Sequence, residues 1–479
     1  MAKAPLPDKL KQFGEWYDLV SEKAELADVR YGVKGFVVFR PNLMQIVNGI
    51  YDSLEGDLLA AGHRAMLFPL LIPFKNLLVE KEHVKGFEKQ VFIVEKSGEE
   101  MIDQGEKLFI RPTSETAIYP MYALWIRSYR DLPFKAFQSC AVYRYETKAT
   151  RPLFRGREFL WIESHNVFAS REEAEGQLKE DLDITRKTFE RFGLPFLAIE
   201  REPFDRFPGA ERSVAYDVVL PDKQVLQSAT THLLGKRFTQ PFSVSFLSST
   251  GEKTVPESTC FGPGVSRIAA LVISMHGDEY GLVLPFKAAL VQVVVIPIRN
   301  EPALAEYARK VASMLQGAGY RVKVDDGPET AGEKFYHWEM LGTPVRIEIG
   351  PREAEGKVLT VTRRDQRRRD AVPEAQLIQN LESLDKEILA ELSRRSWEWL
   401  NSNIHEAATK QEMTSKAKSP GGFIKFTFCG DEECAAGIKA ETGGYEVRGR
   451  RADVTEAFAD KCTWCGGKGV ELAYMAKAY

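Results

Sequence analysis

Between Arg144 and His165 the chain reads RYETKATRPLFRGREFLWIESH. Residues 141–146 and 158–163 are rich in aromatic and branched side chains and contain no Gly or Pro, so they read as two strands. The intervening loop carries Lys148, Arg151, Arg155 and Arg157. In an antiparallel hairpin, alternation places Arg144, Glu146, Phe159, Trp161 and Glu163 on one face. Cations beside carboxylates and flat rings suit a ligand with an anionic end and a planar heterocycle, as in ATP. The plain alternative is a basic surface hairpin with ordinary ion pairs.

Other polar groups are candidates for the same chemistry. Thr113, Ser114 and Glu115 follow a short strand, residues 108–111. They suit the cap of the next helix, the readier reading, and also an ammonium site. Gln227, Ser228, Thr230, Thr231 and His232 form a second polar run. Gly262-Pro263-Gly264 leads to Arg267 at the start of an apolar helix, 268–275, where a cation beside a helix N-terminus suits phosphate. Cys429, Cys434, Cys462 and Cys465 fall in the last 51 residues as C-x4-C, 27 residues, then C-x2-C. That spacing predicts a closed, structural zinc site, with disulfides as the alternative.

The elements that must position these groups fall into three parts. A helix over 8–30 and a strand over 33–40 precede an amphipathic helix, 42–61, with Leu43, Ile46, Val47, Ile50, Leu54 and Leu58 on one stripe. A strand, 65–68, ends at Pro69. Beyond the hairpin, Ser170 and Glu173 form a capping box opening a charged helix. Near Pro285 the pattern changes to alternating strands and helices as far as Trp399, with a basic run at 363–369. Residues 400–423 read as a linker to the cysteine-bearing end. The expected division is 1–285, 286–399 and 400–479. At 479 residues, 44% hydrophobic, 28% charged and net charge −3, the composition is globular, and a polyanionic partner must be met by local basic patches. No secretory signal opens the chain, and the longest apolar stretch, 288–298, is too short to cross a bilayer; a cytoplasmic protein with no membrane partner is expected.

Together these motifs carry a family resemblance. The segment ending at Pro69, the Arg144 hairpin and the Arg267 turn resemble motifs 1, 2 and 3 of class II aminoacyl-tRNA synthetases. Arg111-Pro112-Thr113-Ser114-Glu115-Thr116, Arg157-Glu158-Phe159-Leu160-Trp161, Met275-His276-Gly277-Asp278, the four cysteines and the final Ala476-Lys477-Ala478-Tyr479 narrow it to prolyl-tRNA synthetases of the archaeal/eukaryotic-like type. The resemblance implies an α+β architecture: an antiparallel-sheet catalytic domain, an α/β anticodon-binding domain and a zinc-binding C-terminal domain. It implies a homodimer joined through the motif 1 region.

The resemblance also implies roles. Thr113 and Glu115 take the prolyl amine, with Ser114 beside them; Trp161, Glu163, His165 and His232 line the proline pocket. Arg144 bridges the carboxylate and the α-phosphate and, with Arg267, carries catalysis. Glu146, Arg155, Gly156, Phe159, Gln227, Thr230 and Arg267 contact ATP, Gln227 through Mg²⁺. Anticodon reading of tRNA(Pro) falls on Arg346, Glu348 and Arg352, and structural Zn²⁺ on the four cysteines. Ser228 and Val265 depart from the family pattern, and the Ser228 side chain is expected to crowd the ATP wall. Only about 60 residues separate Phe168 from Gln227, too few for an editing domain of ordinary size, so misactivated alanine is expected to go uncorrected in cis. A sibling synthetase, a paralogue without catalysis and a zinc-dependent nucleic-acid binder are the competing readings.

Overall fold

The computed structural model describes residues 6–79, 90–102 and 106–479. Its centre is an antiparallel sheet. Strand Phe134–Tyr143 pairs with Glu158–Phe168 from Glu158↔Tyr143 to Val167↔Phe134. Glu158–Phe168 then pairs with Glu257–Pro263, which pairs with Val225–Gly235, itself hairpinned to Arg212–Val219. Helices Pro41–Ala60, Arg171–Arg191 and Val265–His276 pack together over this sheet. All six residues of the expected stripe, Leu43 to Leu58, are buried, each worth about 1.5–3 kcal/mol relative to exposure.

Two expected elements are shorter. The first helix runs only Phe13–Lys23, because Glu25 takes a left-handed φ of 56° and turns the chain so that Ala27–Asp28 pairs with Val38–Phe39. The strand expected at 65–68 pairs only over Arg64–Ala65, parallel to Ala136 and Phe137; the Phe68 N–H is taken by the Gln138 side chain instead.

The segment after Pro285 forms a five-stranded mixed sheet, Val293–Pro297, Val322–Val324, Val345–Ile349, Val358–Arg363 and Arg369–Pro373, covered by Pro302–Gly317, Ala331–Met340 and Leu377–Ser402. Its basic run is not one solvated edge. Arg363 is buried against Asp365 and Glu387, and Arg364 forms a two-pronged pair with Asp278, just past helix Val265–His276. Of its arginines, only Arg367 to Arg369 are exposed.

The expected linker is structured as well. Ile404–Glu406 pairs parallel with Phe423–Phe428, and Thr409 caps helix Lys410–Lys418. Strands Phe423–Phe428, Glu471–Lys477 and Tyr445–Arg451 continue the central sheet. Ile199 and Glu200 of strand Leu197–Glu200 pair with Arg451 and Arg450, giving eleven strands in one sheet. Among the described residues, no helix is long and apolar enough to cross a membrane.

Candidate active site

The central sheet opens onto a cleft of about 690 Å³ lined from the hairpin, Val225–Gly235, Glu257–Pro263 and the start of Val265–His276. One end is acidic. Glu163 is buried and receives the Ser114 N–H at 2.9 Å, the Ser114 hydroxyl at 2.5 Å and the Gln138 amide at 3.0 Å. The Thr113 hydroxyl lies 2.8 Å from Glu163 and 2.6 Å from Oε2 of Glu115. The capping reading of this triplet therefore fails: Ser114 stands at the helix N-cap position but its side chain caps nothing. Two carboxylates meet at one hydroxyl, with Thr113, Glu115 and Glu163 all facing the cleft, an arrangement whose chemistry suits a cationic amine.

His232 and Trp161 flank this end. His232 Nδ1 lies 2.8 Å from the Ser213 hydroxyl, and burial pulls its imidazole down to about 4, so it is neutral at pH 7. Ser114 and His165 do not line the cleft; both stand behind it, His165 with its Nε2 3.7 Å from the Cys260 thiol.

The other end is cationic. The Arg144 Nε donates to the Pro112 carbonyl at 2.9 Å, and its guanidinium lies over the rings of Phe159 and Trp161, 5.3 and 5.4 Å from their centroids. Arg267 donates to the Gln227 carbonyl at 2.8 Å and the Phe154 carbonyl at 3.3 Å. Burial lowers the pKa of Arg144 and, with repulsion from Arg144 and Arg155, pulls Arg267 down to about 10. Arg267 thus stays charged at pH 7 while Arg144 and Arg155 repel it, and a bound polyanion would relieve that repulsion. Glu146 lies 3.5 Å from Arg155. Gly156 sits where a Cβ would come within 2.8 Å of the Glu158 carbonyl, so only glycine fits this turn. Thr230 and the Gln227 side chain complete the wall.

Residues 92–276 match the family model for the class II tRNA synthetase core domain (G, H, P, S and T), 292–384 that for an anticodon binding domain, and 411–479 that for the prolyl-tRNA synthetase C-terminal domain. The chain is 47% identical over 477 residues to the proline–tRNA ligase of Thermofilum pendens, spanning 98% of both. It is similar to the solved Giardia lamblia prolyl-tRNA synthetase in complex with prolyl-adenylate, at TM-score 0.95, 34% identity and 99% of each chain. It is also similar to the Cryptosporidium parvum prolyl-tRNA synthetase complexed with halofuginone and AMPPNP, at TM-score 0.93, 31% identity, 98% of this chain and 99% of that one.

The chain belongs to the prolyl-tRNA synthetase family. Within that frame, two cleft arginines escaped the sequence reading. Arg201 and Arg448 are buried, and both reach Asp217: Arg201 at 2.9 and 3.0 Å, Arg448 at 3.1 and 3.4 Å. Arg201 also donates to Oε1 of Gln227 at 2.9 Å. Arg448 belongs to the C-terminal strand Tyr445–Arg451, so this segment supplies part of the cleft wall. Gly449 makes room for it. Its φ is 111°, and a Cβ there would lie 1.9 Å from the Glu200 carbonyl. Tyr479 arrives at the same cleft: Arg151 donates to its hydroxyl at 3.0 Å, Arg155 to its main-chain oxygen at 2.6 Å, and its ring stacks on Phe154 at 4.7 Å.

Ser228 lines the cleft, with its hydroxyl committed to a backbone carbonyl. Its hydroxyl donates to the Tyr216 carbonyl at 2.8 Å, filling the bulge between Tyr216 and Asp217. Val265 is buried at the start of its helix, and the neighbouring Ser266 hydroxyl accepts the Leu160 N–H at 2.9 Å.

The remaining predicted groups lie elsewhere. Arg346 and Glu348 are buried in a network with Glu339, at 3.0 to 3.1 Å, whereas Arg352 is exposed on helix Pro351–Gly356. The four cysteines converge: Cys434 and Cys462 sulfurs are 3.9 Å apart, Cys429 and Cys465 3.7 Å, and all four within 4.8 Å. Tetrahedral zinc–thiolate bonds of about 2.3 Å imply sulfur separations of about 3.8 Å, so the set fits zinc.

Proposed function

We propose that the cleft activates L-proline with ATP, forming prolyl-adenylate and pyrophosphate, and then passes the prolyl group to the 3′ end of tRNA(Pro). The observation that carries this is the join between an acidic pocket, Glu115 with Glu163, and three converging guanidinium groups, with Arg144 where the two meet. Glu115 and Thr113 hold the amine of proline, braced by Ser114 and Glu163. Trp161 and His232 bound its ring, and His165 supports the pocket from behind.

The carboxylate of proline is already a nucleophile and needs no general base. Its obstacle is like charge on the phosphate it attacks. Arg144 contacts both anions, so one carboxylate oxygen bonds to the α-phosphorus as the bond to the bridging oxygen breaks. Arg267 and Arg155 stabilise the departing pyrophosphate, and Glu146, Gly156, Phe159 and Thr230 hold the nucleotide. Mg²⁺ held by the side-chain oxygen Oε1 of Gln227, which keeps a lone pair beyond its bond from Arg201, would supply further charge neutralisation. A ribose hydroxyl of the tRNA then attacks the acyl carbon and AMP leaves.

The four cysteines hold structural Zn²⁺ with no position open to substrate. Arg346, Glu348 and Arg352 belong to the anticodon face. The motif 1 edge joins two copies into a homodimer, supported by exposed Leu59, Leu67, Leu70, Leu71 and Trp125 beside it. The enzyme works in the cytoplasm. Between Phe168 and Gln227 the chain is spent on helix Arg171–Arg191 and the strands Leu197–Glu200 and Arg212–Val219, which supports alanine misactivation uncorrected in cis. The test is ATP–pyrophosphate exchange with each standard amino acid. Proline is expected to dominate with alanine measurable; exchange led by any other amino acid overturns the reading.

A further inference from the structure

Behind the acidic end of the cleft, three different donor atoms converge. Oε1 of Glu115, Nε2 of His165 and Sγ of Cys260 lie within 4.8 Å of one another, and all three residues are buried. Glu115 and Cys260 face the cleft, so the group is reachable from it. Each donor is directed by a neighbour. The Thr113 hydroxyl engages Oε2 of Glu115 at 2.6 Å, which turns Oε1 toward His165. The Tyr119 hydroxyl lies 3.5 Å from Nδ1 of His165, on the far side of the ring from the thiol. A hydrogen-bonding partner on one ring nitrogen is the usual support for a metal on the other.

The separations suit an ion better than a proton. His165 Nε2 is 4.0 Å from Glu115 Oε1, beyond hydrogen-bond reach, and 3.7 Å from the Cys260 sulfur. Tetrahedral zinc with bonds of about 2.3 Å to sulfur and about 2.0–2.1 Å to nitrogen and oxygen needs a sulfur–nitrogen edge of about 3.6 Å and a nitrogen–oxygen edge of about 3.3 Å. The first is already present; the second requires Glu115 to close by about 0.7 Å. A mixed carboxylate, imidazole and thiolate set favours zinc over magnesium or calcium. Glu163 accepts from Ser114, Gln138 and Thr113 beside this group.

We propose that Glu115, His165 and Cys260 form a second, lower-affinity zinc site in the empty amino-acid pocket, filled competitively with the amine of the substrate. This rests on the reading of Glu115 as the amine-binding carboxylate. Binding exchanges the Cys260 thiol proton for a sulfur–zinc bond and releases that proton to solvent; the fourth position faces the cleft and takes water. Free zinc then raises the apparent KM for proline, doubling it when its concentration equals its dissociation constant, and leaves kcat at saturating proline unchanged.

The test uses the full chain with its four-cysteine site loaded with zinc. Titration with Co²⁺ is expected to add one equivalent per chain with a cobalt–thiolate charge-transfer band, and excess L-proline is expected to abolish that band. Cys260→Ser should lose the band. Absence of the added equivalent, a band unmoved by proline, or a band surviving in Cys260→Ser each overturns the proposal. If Cys260→Ser does not fold, the proline competition on the unsubstituted chain decides. Failure of the underlying reading is seen separately, as absence of proline-dependent pyrophosphate exchange in Mg²⁺ buffer without added cobalt or zinc.

Discussion

Arg448→Ala removes a cation that the C-terminal segment places in the wall of the catalytic cleft. The direct loss is its bonding to Asp217 at 3.1 and 3.4 Å, and hydrogen bonds of this charged kind are worth about 1.5–3 kcal/mol. Asp217 is wholly buried; burial alone raises its pKa, and Arg201 with Arg448 overcomes this and holds it lowered. With one partner gone, Arg201 must satisfy both carboxylate oxygens and is drawn from Gln227, which it reaches at 2.9 Å. Should the full loss fall on nucleotide binding, kcat/KM for ATP drops by about 10-fold to 150-fold, at 1.36 kcal/mol per tenfold. The assay is proline-dependent pyrophosphate exchange as a function of ATP, with thermal unfolding run alongside. Arg448→Lys should recover part of the loss, since it returns the charge without the two-pronged geometry. A folded Arg448→Ala chain whose ATP parameters stay within twofold of the parent would refute the coupling from Arg448 through Asp217 and Arg201 to Gln227.

Three further outcomes are expected. Arg144→Ala should lower pyrophosphate exchange by at least ~10²-fold through lost charge stabilisation, and near-normal exchange would dismiss its bridging role. Ser228→Gly should change KM for ATP by less than about threefold, because the hydroxyl is spent on the Tyr216 carbonyl, a neutral hydrogen bond worth about 1 kcal/mol; a large gain in affinity would restore the crowding argument. Asp181 lies wholly buried under the sheet, where burial pushes its carboxyl up to about 7 against hydrogen bonds from Thr231 and Gln177. The folded chain keeps this proton longer than the unfolded one, so the stability it lends is whole below about pH 4 and declines as pH rises toward 7. Asp181→Asn should flatten that decline by up to about 4 kcal/mol, read from denaturant unfolding at several pH values, and an unchanged slope would exclude Asp181 as its source.

Legibility in the sequence followed the range of the interaction that decides each feature. The helix Pro41–Ala60 and the paired strands Phe134–Tyr143 and Glu158–Phe168 were readable because their periodicity is local and their apolar residues meet one shared core. Thr113 to Glu115 were not, because a helix cap and an amine receptor employ the same residue types; Thr113 and Ser114 are engaged instead by Glu163, 50 and 49 residues away. The roles of Arg201 and Arg448 were less legible still. Within Arg448-Gly449-Arg450-Arg451 nothing separates the arginine that is buried from the one that is solvated, since the difference lies in the bulge at Arg448 opposite Met475 and Tyr474, with Gly449 closed against the Glu200 carbonyl. Their partner did leave a trace. Asp217 interrupts Ser213-Val214-Ala215-Tyr216-Asp217-Val218-Val219, and a carboxylate in an otherwise buried strand must be matched by cations or forfeit several kcal/mol. Such a residue states that partners exist, whereas their identity depends on a strand pairing that brings Arg448 in from 231 residues away. The C-terminal segment is therefore bound to the active site by charge as well as by sheet, and a change at its docking strand should be felt first in ATP use.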